Sequence, residues 1–113
     1  MKFSINRDAF LKPLQVVSGA VERRHTLPIL ANLLLQVENG QLKLTGTDLE
    51  VELVSSVALE SADMDASVTV PAKKLVDIVR SLPDGSVIEF TAEGDSATVK
   101  SGRSKFKLST LSA

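Results

Sequence analysis

Few side chains in this sequence are of types and spacings that could do chemistry. His25 is the single histidine, and it stands between Arg24 and Thr26-Leu27-Pro28 in a connecting stretch. A nucleophilic triad needs a histidine oriented by a carboxylate and touching a nucleophile, and the local spacing offers neither. Glu50 and Glu52 alternate on one face of a strand-like stretch, as a carboxylate pair dividing acid and base roles would. Alternating acids on a solvent-facing strand look the same, and no further group orients this pair. Gly85, Gly94 and Gly102 are isolated turn glycines, with no P-loop or dinucleotide fingerprint around them. What remains is cationic. Lys12, Lys73 and Arg80 lie opposite the apolar stripes of two helical stretches, with Arg7, Arg23, Arg24 and Lys74 in or beside them. Cations on one surface hold phosphate oxygens weakly, without base readout and with strong salt dependence. The same residues also make an ordinary solvated helix face.

The composition narrows the classes further. The 113 residues suit a single domain, and 43% hydrophobic with 24% charged residues marks a globular chain. The absence of cysteine excludes a disulfide scaffold and thiolate metal sites, and one histidine excludes a multi-histidine site. No metal, no cofactor and no catalytic residue are expected. With no Trp, no Tyr and four Phe, a base-stacking platform is not expected either. Neither a targeting signal nor an apolar run of membrane length is read, so the expected location is the cytoplasm, with no membrane partner.

The elements that position these residues follow from periodicity. Phe3 and Ile5 alternate with polar residues as a strand, Asn6 is a helix N-cap, and a helix is predicted from Arg7 to about Gly19. Its apolar face is Phe10, Leu14, Val17 and Val21, and Pro13 requires either a kink or a later start. Ile29 to Val37 and Gln41 to Leu44 form a hairpin around Asn39-Gly40, Gly46-Thr47-Asp48 is a turn, and Leu49 to Leu59 is a third strand. The order then repeats: a strand over Ser67 to Val70, a helix over Ala72 to Leu82, and strands over Ser86–Ala92, Ala97–Ser101 and Arg103–Leu111. The prediction is an α+β domain of two βαβββ-like halves, roughly 1–60 and 61–113. Side by side they would make one continuous, mostly antiparallel sheet with both helices on one face. An α+β domain without internal symmetry is the alternative.

The net charge of −1 hides a segregation. Between Glu38 and Asp65 the acids are Glu38, Asp48, Glu50, Glu52, Glu60, Asp63 and Asp65, against Lys43 alone. Between Lys100 and Lys107 the bases are Lys100, Arg103, Lys105 and Lys107, with no acid. Arg103, Lys105 and Lys107 alternate with Phe106 and Leu108, which fits a terminal strand with a core side and a solvated side. It also fits an edge strand that joins another subunit.

Four segments together carry a family resemblance: MKFSINRDAFLKPLQ, TLPILANLLLQVENGQLKLTGTDLEVEL, VTVPAKKL and SGRSKFKLSTL. In this order they resemble the bacterial DNA polymerase III beta subunits, the sliding clamps, and the likeness runs along essentially the whole chain. The resemblance implies the DNA-clamp fold and a non-catalytic processivity role. Three such domains per chain and two chains close a ring on double-stranded DNA, and this chain looks like the first domain. Arg24 and Lys73 match basic positions that approach the DNA phosphates; Lys12, Arg7 and Arg80 are further pore charges on the helical-face reading. Phe106 and Leu108 match the apolar part of the subunit joint, and Lys74, Arg103 and Lys105 its ion-pairing rim. The acids for that rim lie in the family's third domain. The implied partners are sequence-independent duplex DNA and a second clamp subunit, with the replicative polymerase and clamp loader reached through domains outside this chain. Two other readings stand beside this one. One is a free-standing module that captures a partner strand along Arg103 to Leu108; the other is a small hydrolase built on scattered carboxylates.

Overall fold

Asn6 divides an alternating stretch from a helical one, and its side chain makes the division. Its Oδ1 accepts hydrogen bonds from the N–H groups of Asp8 (2.9 Å) and Ala9 (3.3 Å), two donors that a helix start leaves without partners. The computed structural model describes residues 1–18, 32–47 and 52–110. Val21, Arg23, Arg24, His25, the Leu49–Val51 stretch and the chain's last three residues lie outside them. The elements are β1 (Lys2–Asn6), α1 (Arg7–Ser18), β2 (Asn32–Glu38), β3 (Gln41–Thr47), β4 (Glu52–Ala58), β5 (Ser61–Ala62), β6 (Ala66–Pro71), α2 (Ala72–Ser81), β7 (Val87–Glu93), β8 (Ser96–Ser101) and β9 (Ser104–Ser109). Helix α1 starts at its Asn6 cap and carries Pro13 inside it, so the later start is not what occurs. Between β2 and β3, Asn39 and Gly40 both take positive φ (52° and 77°), the type I′ signature that suits hairpin twist.

Two sheets form where one was expected. The first runs β5-β1-β7-β8-β9 and the second β4-β3-β2-β6, with every pairing antiparallel. The halves exchange their first strands. β1 opens the first half but pairs with β7 of the second, Phe3 opposite Phe90 and Ile5 opposite Ile88. β6 opens the second half but pairs with β2 of the first, Leu33 opposite Val70 and Leu35 opposite Val68. A strand joined through a packed helix to its own sheet normally re-enters it in the parallel sense. Exchange lets each half's first strand run antiparallel to its neighbour. The short β5, unread in the sequence, adds to β1: Lys2 and Asp63 are joined by two bonds of 3.0 Å, one from the Lys2 N–H to the Asp63 carboxylate and one from the Asp63 N–H to the Lys2 carbonyl. Desolvation raises the Asp63 pKa, but hydrogen bonds from the N–H groups of Lys2 and Met64 and the nearby N-terminal ammonium outweigh it and hold the carboxyl below its usual range.

One core unites these parts. Phe3, Ile5, Phe10, Leu14 and Val17 meet Leu33, Leu35, Leu42, Leu44, Leu75, Val79, Ile88, Phe90 and Val99. The Phe3 ring stacks on Phe90 (centroids 4.9 Å apart) and meets Phe10 edge to face at 6.4 Å. The helices pack side by side, α1 also against β3 and β4, α2 also against β6 and β9. Gly46, expected in a turn, is buried within β3. A Cβ there would come 2.5 Å from the Val17 carbonyl oxygen, so the last turn of α1 requires a residue without one.

Candidate nucleic-acid interface

The periodicity that buries Phe10, Leu14 and Val17 on α1 turns Lys12, Gln15 and Val16 outward. On α2, burial of Ala72, Leu75, Val76 and Val79 leaves Lys73, Lys74, Asp77 and Arg80 exposed. Because the helices are neighbours, Lys12, Lys73, Lys74 and Arg80 belong to the exposed sides of one helix pair. Among the described residues, ion pairs are confined to Arg7 with Asp8 and Asp84, so these four cations form no ion pair with a described carboxylate and outnumber Asp77, the acid exposed among them on α2.

The start of α2 sharpens the electrostatics. Pro71 occupies its N-cap without a side-chain hydrogen bond, and no acid stands in the first turn. Lys73 and Lys74 stand there instead, at the end of the helix dipole that favours anions. Stability alone disfavours that placement, and an anion beside it would relieve the repulsion. α1 differs, with Asn6 as its cap and Asp8 in its first turn.

Arg7 does not join the exposed set. Its side chain is 14% exposed and turned toward the end of α2. Nε donates to the Val79 carbonyl (3.2 Å) and Nη2 to the Arg80 carbonyl (3.2 Å). Nη1 donates to carboxylate oxygens of Asp8 (3.1 Å) and Asp84 (2.9 Å). Asp84 was legible only as part of the Pro83-Asp84-Gly85 helix stop; its opposition to Arg7 is a product of the tertiary fold. Arg24 lies outside the described residues.

A second cationic feature borders the first sheet. β9 ends the β5-β1-β7-β8-β9 ladder, with no described strand hydrogen-bonded to its far side. Lys105 lies opposite Lys100 and Lys107 opposite Thr98, while Phe106 faces Val99 and Leu108 faces Ala97. Directly opposed residues share a sheet face. Lys105 and Lys107 are therefore exposed on the outer face, and Leu108 is 3% exposed in the core. Phe106 is half-buried against that core, and Arg103 is exposed in the turn that Gly102 (φ 56°) makes possible. Of the two apolar residues expected at a subunit joint, Phe106 keeps part of its surface free and Leu108 supports it from inside. Helix α2, which carries Lys74, touches β9.

The described residues contain no group of three or more His, Asp or Glu side chains that could hold a metal ion. No helix among them is long and apolar enough to cross a membrane.

The family model of the DNA polymerase III beta subunit, N-terminal domain, matches residues 1–113. The Beta sliding clamp of Pseudomonas aeruginosa is 58% identical over 113 residues, covering 100% of this chain and 31% of that protein. The Beta sliding clamp of Vibrio harveyi is also 58% identical, covering 100% of this chain and 78% of that sequence. Among solved structures, the P. aeruginosa DNA polymerase III subunit beta superposes with a TM-score of 0.95 at 58% identity, over 100% of this chain and 31% of that one. The Caulobacter crescentus pol III beta gives 0.94 at 40% identity, over 100% and 30%. The chain thus spans about a third of the length of the P. aeruginosa relative. With the exchanged βαβββ halves and the paired basic helices on one side, and a family match from its first residue to its last on the other, the chain belongs to the DNA polymerase III beta subunit family, as its N-terminal domain.

Proposed function

We propose that this chain is the first of three domains of a ring-shaped processivity factor, a cytoplasmic homodimeric clamp that encircles duplex DNA and tethers the replicative polymerase. The observation that carries this reading is the net-basic exposed side of two adjacent helices, where Lys12, Lys73, Lys74 and Arg80 outnumber Asp77 and form no ion pair with a described carboxylate. Lys12, Lys73 and Arg80 face the phosphates there, joined by Arg24 from the connection after α1. A clamp that is held topologically needs no tight grip. A few cations near phosphates give weak, sequence-independent contact that permits sliding. Arg103, Lys105 and Lys74 form the ionic rim of the joint to the second subunit, and Phe106, backed by Leu108, its apolar centre. The polymerase and the clamp loader act through the other domains, and the chain itself does no chemistry.

The test joins residues 1–113 to the remaining two thirds of the P. aeruginosa relative and measures duplex association against salt. Replacing Arg24 and Lys73 with alanine is expected to weaken association and flatten the salt dependence, by about 0.9 in log–log slope for each phosphate no longer neutralised. An unchanged slope would remove both residues from the DNA-facing surface. Tight, sequence-selective binding by the 113-residue chain alone at physiological salt would contradict the whole reading.

A further inference from the structure

We propose that Arg7 is a positioning residue for the cationic helix face: it holds the last turn of α2 so that Arg80 is presented at a fixed place on the side of the helix that carries Lys73. This rests on reading that face as the DNA-contacting surface. A guanidinium that lies 14% exposed, with four hydrogen bonds to Val79, Arg80, Asp8 and Asp84, is engaged within the domain. To reach a phosphate it would have to release them. Its geometry suits the end of a helix. The last carbonyls lack the i+4 donors of a continuing helix, a planar fork of N–H groups can reach two of them at once (Arg80, and Val79 in addition to its Leu82 N–H), and the charge complements the dipole there.

The fold itself does not require an arginine at this position. In the second half the first helical residue is Ala72, which starts α2 without any such side chain. Other bonds already fasten the start of α1 to the loop after α2: the Arg7 N–H donates to the Ser86 carbonyl (2.7 Å), and the Gly85 N–H to the Asp8 carboxylate (3.1 Å). What the guanidinium adds is control of the two carbonyls at the end of α2, one of them belonging to Arg80. Asp84 completes the arrangement by holding the fork at 2.9 Å from the opposite side.

The experiment is a mutant cycle in the same joined ring, read by duplex association over a range of salt and by hydrogen exchange at the Leu82 amide, which bonds the Val79 carbonyl. Arg7→Ala is expected to weaken association about threefold, leave the salt slope unchanged and speed exchange at Leu82. The weakening should disappear in an Arg80→Ala background and persist in a Lys73→Ala background, as coupling through one residue requires. Arg7→Lys keeps the charge but cannot fork onto both carbonyls, so it should behave like Arg7→Ala; it also serves if the alanine variant fails to fold. A direct phosphate contact would instead tolerate lysine, and its removal would lower the slope by about one. Either result overturns the proposal, as does an equal loss in every background, the mark of a general scaffold role. If Lys73→Ala weakens association and Arg7→Ala does not, the role of Arg7 alone falls. If neither does, the reading of the face fails and takes this role with it.

Discussion

A Cβ built on Gly46 would sit 2.5 Å from the Val17 carbonyl oxygen, 2.7 Å from Val17 Cγ1 and 3.0 Å from Leu33 Cδ2. Gly46 has no positive φ, so its backbone conformation is open to any residue. What selects glycine is the close approach of the last turn of α1 to β3. Glycines at Gly40, Gly85, Gly94 and Gly102 have the opposite reason, a positive φ with open space around the Cβ position. In Gly46→Ala the nearest obstacle is backbone, which cannot rotate away, so the helix end must lift or the strand must shift. Overpacking of this kind costs about 1–3 kcal/mol. For a domain of this size that corresponds to a fall of roughly 10 °C in the thermal midpoint, read by circular dichroism. An unchanged midpoint would mean that the end of α1 is free to leave β3. Arg7 shows the same point for charge. Its residue type and its place at a helix start suggested a surface cation, whereas its partners Val79, Arg80 and Asp84 lie more than seventy positions along the chain.

At the level of elements, the exchange of β1 and β6 makes each sheet a joint product of both halves. Neither half can complete a core alone. Without β1, the β7-β8-β9 meander loses Phe3 and Ile5 opposite Phe90 and Ile88; without β6, β2 loses Val68 and Val70. Fragments 1–60 and 61–113 are therefore expected to be unfolded when separate and to regain the native circular dichroism spectrum when mixed, with one cooperative transition. A cooperative transition in either fragment alone would show that a half is self-sufficient. Much of this architecture was legible beforehand. Leu33, Leu35 and Val37 alternate inward, Leu42 and Leu44 follow, and Lys73, Asp77 and Arg80 lie outward on α2, all as the periodicity requires. The exchange was not legible because β1 and β6 carry the same alternation, Phe3 and Ile5 in one and Val68 and Val70 in the other. Either pair fits the edge of either sheet, and only the direction of the ladder separates the choices. Gly46 differs from its sequence expectation for a related reason: a glycine beside threonine and aspartate signals a turn locally, and only the packed helix reveals the other use.

On the scale of the whole molecule, a net charge of −1 conceals two basic surfaces, the helix pair and the outer face of β8 and β9, and an acid-rich stretch from Glu38 to Asp65. The open edge of β9 is the place where this segregation meets the aggregation problem. A strand whose outer side has no described strand hydrogen-bonded to it, with Phe106 partly exposed, is a template for a second strand. Exposed Lys105 and Lys107 oppose that pairing, because two β9 strands side by side would bring four lysines together without an acid in either strand. The 113-residue chain is therefore expected to sediment as a monomer at low salt. Repulsion between exposed charges is screened over about 10 Å at 0.1 M salt and about 3 Å at 1 M, so weak self-association should appear as salt is raised. Lys105→Ala with Lys107→Ala should bring that association down to low salt, and Phe106→Ser should abolish it. The opposite trend, a dimer at low salt that salt dissociates, would mean that β9 meets the acid-rich stretch of another copy and not another β9. The same lysines would then be attracting a partner edge rather than protecting a free one.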